Sequence, residues 1–237
     1  MIIFKRGFIF TLVLVCMTTL LSAQTGQQRE LTVEESYLEQ SIEMMIIREQ
    51  SRADSREMKL VALEYIEDAI SRGNTSDEIR QALEYLGIEG TINQVRESGR
   101  LLNNHPDIRM RAATHLGNLG TPEAQGSLIK MLLADDEPMV LQEVVRSLGR
   151  IGLNDNNETV NAIAWIVARY DVLNPDNLLA LSALDAFERI AQANGSIDYT
   201  AIRTIMRIAE GRYIRPVQER ARQTLLVLRQ YTVSSSN

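Results

Sequence analysis

The chain has 237 residues, of which 45% are hydrophobic and 24% charged, proportions that belong to a folded protein and exclude a disordered one. Such a length accommodates one large domain or two small ones, at about 100 to 200 residues each. The formal net charge of −6 excludes a general nucleic-acid binder, because neutralising phosphates is the main source of that affinity.

Residues 1–23 read as an export signal. Lys5 and Arg6 precede an apolar run from Gly7 to about Leu21, and Ser22-Ala23 supply small residues for cleavage before Gln24. The run is shorter than the roughly 20 residues of a spanning helix and carries Thr11, Thr18 and Thr19. The expectation is therefore a periplasmic or secreted protein with no membrane insertion once the signal is removed; an uncleaved anchor is the competing reading. The single cysteine, Cys16, falls inside the signal. Branched Val15 before it argues against lipid attachment, and a mature chain without cysteine has no disulfide, thiolate metal site or cysteine nucleophile. Losing Lys5 and Arg6 takes the formal charge from −6 to −8.

After a flexible linker at 24–32, apolar residues recur at i, i+3, i+4 and i+7 in eleven successive stretches. They lie near 33–50, 54–72, 76–87, 91–103, 106–118, 121–134, 137–151, 157–171, 175–193, 198–211 and 215–231. The fold class expected is all-α, with about eleven helices and no room for a sheet. All five prolines (Pro106, Pro122, Pro138, Pro175, Pro216) fall at predicted helix starts, where a missing N–H costs nothing. Thr121-Pro122-Glu123 and Asn174-Pro175-Asp176 add capping side chains and an acid in the first turn. Residues 33–75 form longer helices, the first made acidic by Glu34, Glu35, Glu39, Glu43 and Glu49, and read as an atypical N-terminal cap. The Met44-Met45-Ile46-Ile47 cluster reads as core of that first hairpin. Residues 232–237 are a Ser-rich tail expected to be disordered.

Charge is unevenly spread. Residues 24–104 carry nine Lys/Arg against sixteen Asp/Glu, and 105–199 carry seven against thirteen, whereas 200–237 carry seven Arg against two Glu. Self-comparison adds a repeat: Leu86-Gly87-Ile88-Glu89-Gly90 recurs as Leu116-Gly117-Asn118-Leu119-Gly120 and as Leu148-Gly149-Arg150-Ile151-Gly152. A fourth copy is degenerate at Phe187 to Ala191. Two helices in 30 to 40 residues are the signature of an α-solenoid of stacked helical hairpins. The glycine pairs close helices; no strand precedes them and no lysine stands in the P-loop position.

On the stretch Ile108-Arg109-Met110-Arg111-Ala112-Ala113-Thr114-His115-Leu116-Gly117, continuing through Leu119-Gly120-Thr121-Pro122-Glu123-Ala124 to Leu128 and Asp135, the chain resembles the HEAT repeat family, in the short form also seen in phycobilin lyases. The resemblance covers 76–231, most clearly 77–152. It implies stacked hairpins whose second helices line a concave surface used for protein contact, and it implies fold more firmly than chemistry. HEAT-type hydroxylases hold iron through paired His-Glu dipeptides, but here His105 precedes Pro106 and His115 precedes Leu116. HEAT-like DNA glycosylases need a basic groove, against a mature charge of −8. No residue matches a lyase site. The expectation is a non-enzymatic scaffold or adaptor of the cell envelope with no cofactor, metal or catalytic residue. The alternative is a lyase-like or enzyme-accessory module binding a small ligand in the concave groove.

Helical phase picks out a candidate contact face. In 157–171 the stripe Val160, Ile163, Ala164, Val167 and Tyr170 faces inward, which puts Asn161, Trp165 and Arg169 on another face. In 198–211, with Ile202, Ile205 and Ala209 inward, Tyr199, Arg203 and Arg207 share one line. If both are second helices of neighbouring repeats, a Trp, a Tyr and three Arg meet, residue types common at binding hot spots. The competing reading has Trp165 filling a gap between repeats and the arginines balancing acidic neighbours. The expected partner is another envelope protein of acidic character; self-association, acidic end to basic end, is the remaining option.

Overall fold

The computed structural model of the chain describes residues 32–173 and 175–232. The expected signal, most of the linker, nearly all of the tail and Asn174 lie outside the described residues. Two compact units divide the chain, one up to Gln40 and one from Ser41 onward. Among the described residues the first unit holds Thr32 and the opening turns of helix α1 (Val33–Arg52). There the Thr32 hydroxyl accepts from the Glu35 amide at 3.2 Å and the Glu35 carboxylate accepts from the Thr32 amide at 3.0 Å, a reciprocal cap that fixes the helix start.

The second unit continues α1 and adds α2 (Arg56–Ser71), α3 (Asp77–Ile88), a two-stranded β1 (Arg96–Glu97) and β2 (Arg100–Leu101), and then α4 (Pro106–Leu119), α5 (Pro122–Ala134) and α6 (Pro138–Ile151). It ends with α7 (Glu158–Leu173), α8 (Asn177–Asn194), α9 (Tyr199–Glu210) and α10 (Arg215–Thr232). Helices pair in hairpins, and the hairpins stack in two layers. Second helices α2, α4, α6, α8 and α10 form one layer, and first helices α3, α5, α7 and α9 the other. Leu83, Leu116, Leu128, Val144, Leu148, Ile163, Leu184, Phe187 and Ile205 lie in the core between the layers, all fully buried.

The expected helix over 91–103 does not form. Those residues belong to an ordered excursion between α3 and α4, closed by an antiparallel β1–β2 pair in the register Arg96↔Leu101 and Glu97↔Arg100. Ser98 and Gly99 both take positive φ, 49° and 82°, as the tight hairpin turn with matching twist demands. Thr91, Ile92 and Val95 are β-branched and lose side-chain freedom in a helix. Buried Asn103 instead holds the excursion, accepting from the Val95 amide at 2.9 Å and donating to the Asn93 carbonyl at 2.8 Å.

The two glycines of each Leu-Gly motif do different work. Gly120 and Gly152 close α4 and α6 in the left-handed conformation, with φ 69° and 76°. Gly117 and Gly149 lie within the helices and let the second-helix layer close up: a Cβ on Gly117 would meet Ser147 at 2.7 Å, and one on Gly149 would meet the Ala186 Cα at 2.7 Å. The copy at Leu86-Gly87 ends a first helix, so it stands outside the register of the other two.

Buried ion pairs fix the first repeats to one another. Arg109, fourth residue of α4, is 2% exposed and reaches the cap of α5, where Asp135 is 1% exposed. The guanidinium grips that carboxylate twice, at 2.6 and 3.2 Å, and also donates to Asn104. Asp135 further accepts from the amides of Asp136 and Glu137. The same rung occurs one repeat earlier, where Lys59, fourth residue of α2, pairs at 2.9 Å with Glu89 at the end of α3 and donates to the Ala53 carbonyl. In α6 the corresponding position is buried Leu141, and the charged rungs stop.

Candidate protein-binding surface

The six candidate residues sit on α7 and α9, which are first helices of their hairpins and not second ones. This corrects the expectation of a concave, second-helix face. The cause is a parity shift: counting 91–103 as a helix makes 157–171 the eighth and 198–211 the tenth, whereas the hairpin at β1–β2 makes them seventh and ninth among the described helices. Adjacency survives the correction, because α7 and α9 pack side by side in the first-helix layer.

Each helix is started by local side chains. Leu153 and Asn154 lead into a turn in which Asn156 and Asn157 take φ of 51° and 60°, and Asn154 accepts from the Val160 amide at 3.0 Å. Thr159 then donates to the Leu153 carbonyl and accepts from Gln125 of α5. Asp198 caps α9 by accepting from the Thr200 amide at 2.7 Å, and Asn157 donates to the same carboxylate, bringing the two helix starts level. These hydrogen bonds from Thr200, aided by the Arg203 charge, hold the Asp198 carboxyl below its ordinary range.

Neighbours on both sides bury Val160, Ile163, Ala164, Ile166 and Val167 of α7, leaving Asn161, Trp165 and Arg169 as an exposed line. Trp165 is 47% exposed, so it does not fill a gap between repeats. The Arg169 guanidinium lies 5.6 Å from its ring centroid, a cation–π contact that orients both side chains. On α9 the exposed line is Tyr199, Arg203 and Arg207, and Met206, which the sequence reading passed over, joins it. Its spacing from Tyr199 and Arg203, seven and three residues, was the available signal.

Arginines of both layers are tied into the fold: Arg80 of α3 binds Asp77 and Glu84 at 2.6 and 2.7 Å. Arg150 of α6 donates to the Thr114 carbonyl and Asn118 of α4 and pairs with Glu143, as Arg146 also does. Arg220 of α10 binds Glu188 and Asp185 of α8 at 2.6 and 2.8 Å. Burial alone would raise Glu188, but hydrogen bonds from Arg220 and Thr224 outweigh it and hold the carboxyl below its usual range. Arg169, Arg203 and Arg207, in contrast, make no ion pair within 4 Å among the described residues.

At the end of α7 an open groove of about 650 Å³ is lined by Pro138, Tyr170, Pro175, Asp176, Asn177 and Leu178, with Arg169 at its lip. Tyr170 donates to the Asp136 carbonyl at 2.8 Å, and Asp176 caps α8 through the Leu178 and Leu179 amides. The groove was not legible in the sequence, where the prolines marked only helix starts. Nearby, burial and the Asp171 carboxylate push the Tyr213 phenol well above its ordinary value, consistent with a hydroxyl that stays protonated and donates to Asp171.

The histidines take bland places. His105 is the N-cap residue of α4, and His115 is buried, its imidazole held below its ordinary value by desolvation. No group of three His, Cys, Asp or Glu among the described residues is arranged to hold a metal ion. No described helix is long and apolar enough to cross a membrane.

A search of curated proteins finds no match. A family model described as HEAT repeats matches residues 100–185, from β2 into α8 and including Asn161, Trp165 and Arg169. Residues 100–185 are thus HEAT repeats, and the same hairpin stacking continues on either side of them.

Proposed function

We propose that the protein is an exported, non-enzymatic scaffold of the cell envelope that holds an acidic partner protein against the exposed faces of α7 and α9. The observation that carries this reading is the contrast between paired and unpaired arginines. Guanidiniums such as those of Arg80, Arg150 and Arg220 are neutralised by neighbours, whereas Arg169, Arg203 and Arg207 stand beside exposed Trp165 and Tyr199 without an ion pair among the described residues. Such charges steer an oppositely charged protein, and such aromatics anchor it. HEAT repeats suit this role because stacked hairpins offer broad, rigid surfaces.

A photo-crosslinking amino acid at Tyr199, introduced in the producing cell, tests the reading. One predominant protein adduct should form in the envelope fraction, and Trp165→Ala should abolish it while lowering stability by under about 1 kcal/mol. Persistence of the adduct in Trp165→Ala would defeat the assignment of the face. A chromophore or small molecule retained in the native mass would instead favour the lyase-like or enzyme-accessory alternative.

A further inference from the structure

The groove at the end of α7 and the exposed line on α7 share a residue, since Arg169 both caps the Trp165 ring and forms the groove's lip. We infer that the groove walled by Pro138, Tyr170, Pro175 and Leu178 is the apolar socket of this same surface, and that it receives one large apolar side chain from an acidic protein segment. The inference rests on the proposed binding face and adds the chemistry of what occupies it.

Three observations support it. First, the socket is held open by contacts that do not need a ligand: the Tyr170 hydroxyl is tied to the Asp136 carbonyl, and the Leu178 amide is tied to Asp176 at 2.8 Å. A wall fixed in advance loses little freedom on binding. Second, Leu178 is 56% exposed in the first turn of α8, where a polar side chain would serve the helix equally well. Its apolar surface contributes little to the core that Leu179 and Ala180 already fill. Third, the charges around the groove are divided between its two sides. Asp136 and Asp176 border the wall made by Tyr170 and Leu178, whose hydroxyl and amide they respectively accept from, whereas Arg169 at the lip and Arg203 and Arg207 of α9 are cationic, so carboxylates are favoured on the α9 side. The occupant therefore carries its apolar side chain at one end and its acids toward α9. With about 8–10 Å between packed helices and about 3.3 Å per extended residue, the acids begin roughly three residues from the apolar side chain.

Trp165 is the only tryptophan in the chain, so its emission reports directly on this surface. Blocked peptides Phe-Gly-Ser-Glu-Glu-Glu and Glu-Glu-Glu-Ser-Gly-Phe, titrated into the full mature protein, test the inference. One order should shift Trp165 emission saturably and bind at least tenfold more tightly than its counterpart with Ala for Phe. Replacing Glu by Lys should abolish the shift. Leu178→Ser should weaken the Phe peptide about tenfold, leave the Ala peptide unchanged and keep the parent melting curve, because Leu178 is outside the core. Equal binding of Phe and Ala peptides, indifference to Leu178→Ser, or no shift with either order up to millimolar concentration would overturn the socket. The Tyr199 crosslink separates the two readings: a retained, Trp165-dependent adduct with a failed titration removes the socket alone, and loss of both removes the face as well.

Discussion

Gly149→Ala adds one methyl group at the tightest point between α6 and α8. The new Cβ would lie 2.7 Å from the Ala186 Cα and 2.8 Å from its Cβ, roughly 1 Å inside ordinary van der Waals contact. Because the obstacle is backbone and not a movable side-chain tip, the two helices must separate along their length. Overpacking of this kind costs about 1–3 kcal/mol, and contacts to backbone belong at the upper end. Replacing a helix-interior glycine by alanine returns about 1 kcal/mol of helix propensity. The expected net loss is about 2 kcal/mol, a fall in Tm of about 4–8 °C for a domain of this size. Gly126→Ala is the matched control. It lies inside α5, exposed, with nothing within 4 Å of the added Cβ, so only the propensity gain applies, a rise of about 2 °C. Paired thermal melts by far-ultraviolet circular dichroism read both. A Gly149→Ala variant as stable as the parent, or both variants moving in the same direction, would refute the claim that this glycine exists for helix approach.

Arg109→Met leaves Asp135 buried without its guanidinium and should cost about 3–5 kcal/mol in urea denaturation; a loss below about 1 kcal/mol would mean that the amides of Asp136 and Glu137 suffice for that carboxylate. Glu188, held below its ordinary value by Arg220 and Thr224 despite burial, contributes stability that is present above the unfolded carboxylate pKa of about 4.3 and is lost as pH falls through the folded value. Glu188→Gln should therefore be less stable at pH 7 yet lose stability less steeply below about pH 4.3, and identical acid slopes would show that the pair is not linked to folding. Intact mass of the native protein should correspond to a chain beginning at Gln24, whereas a mass retaining Met1 to Ala23 would establish an anchor.

Most helix boundaries were legible because proline, glycine and capping residues mark them locally: Pro106, Pro122 and Pro138 each begin a helix, and Gly120 and Gly152 end one. The error at 91–103 arose where spacing alone was available. Ile92, Val95 and Leu102 recur at helical intervals but stand half exposed, so their periodicity served no core, while the positive φ at Ser98 and Gly99 was the stronger instruction. That single segment inverted the assignment of first and second helices downstream. The inward and outward faces of α7 and α9 were unaffected, since the phase of a helix depends on its own residues. Neither the charged rungs nor the groove could be read, because Lys59 with Glu89, Arg109 with Asp135, and Pro138 with Leu178 meet only once the hairpins stack.

The contacts between repeats fall into two kinds, and they set different limits on how the chain could shorten or lengthen by whole hairpins. Small-residue packing is interchangeable: excising α5 and α6 would bring Gly117 of α4 against Ala186 of α8, the neighbour that Gly149 now has. The ionic rung is not, because Arg109 finds its carboxylate only in Asp135, at the end of the excised α5. Hairpins on the same side of that junction stay exchangeable: without α3 and α4, Lys59 would meet Asp135 as it now meets Glu89, and beyond α6, where Leu141 stands in the cation's place, no ionic mate is needed. The α5–α6 hairpin, with a carboxylate at one junction and an apolar residue at the other, can be neither lost nor doubled without stranding a buried charge.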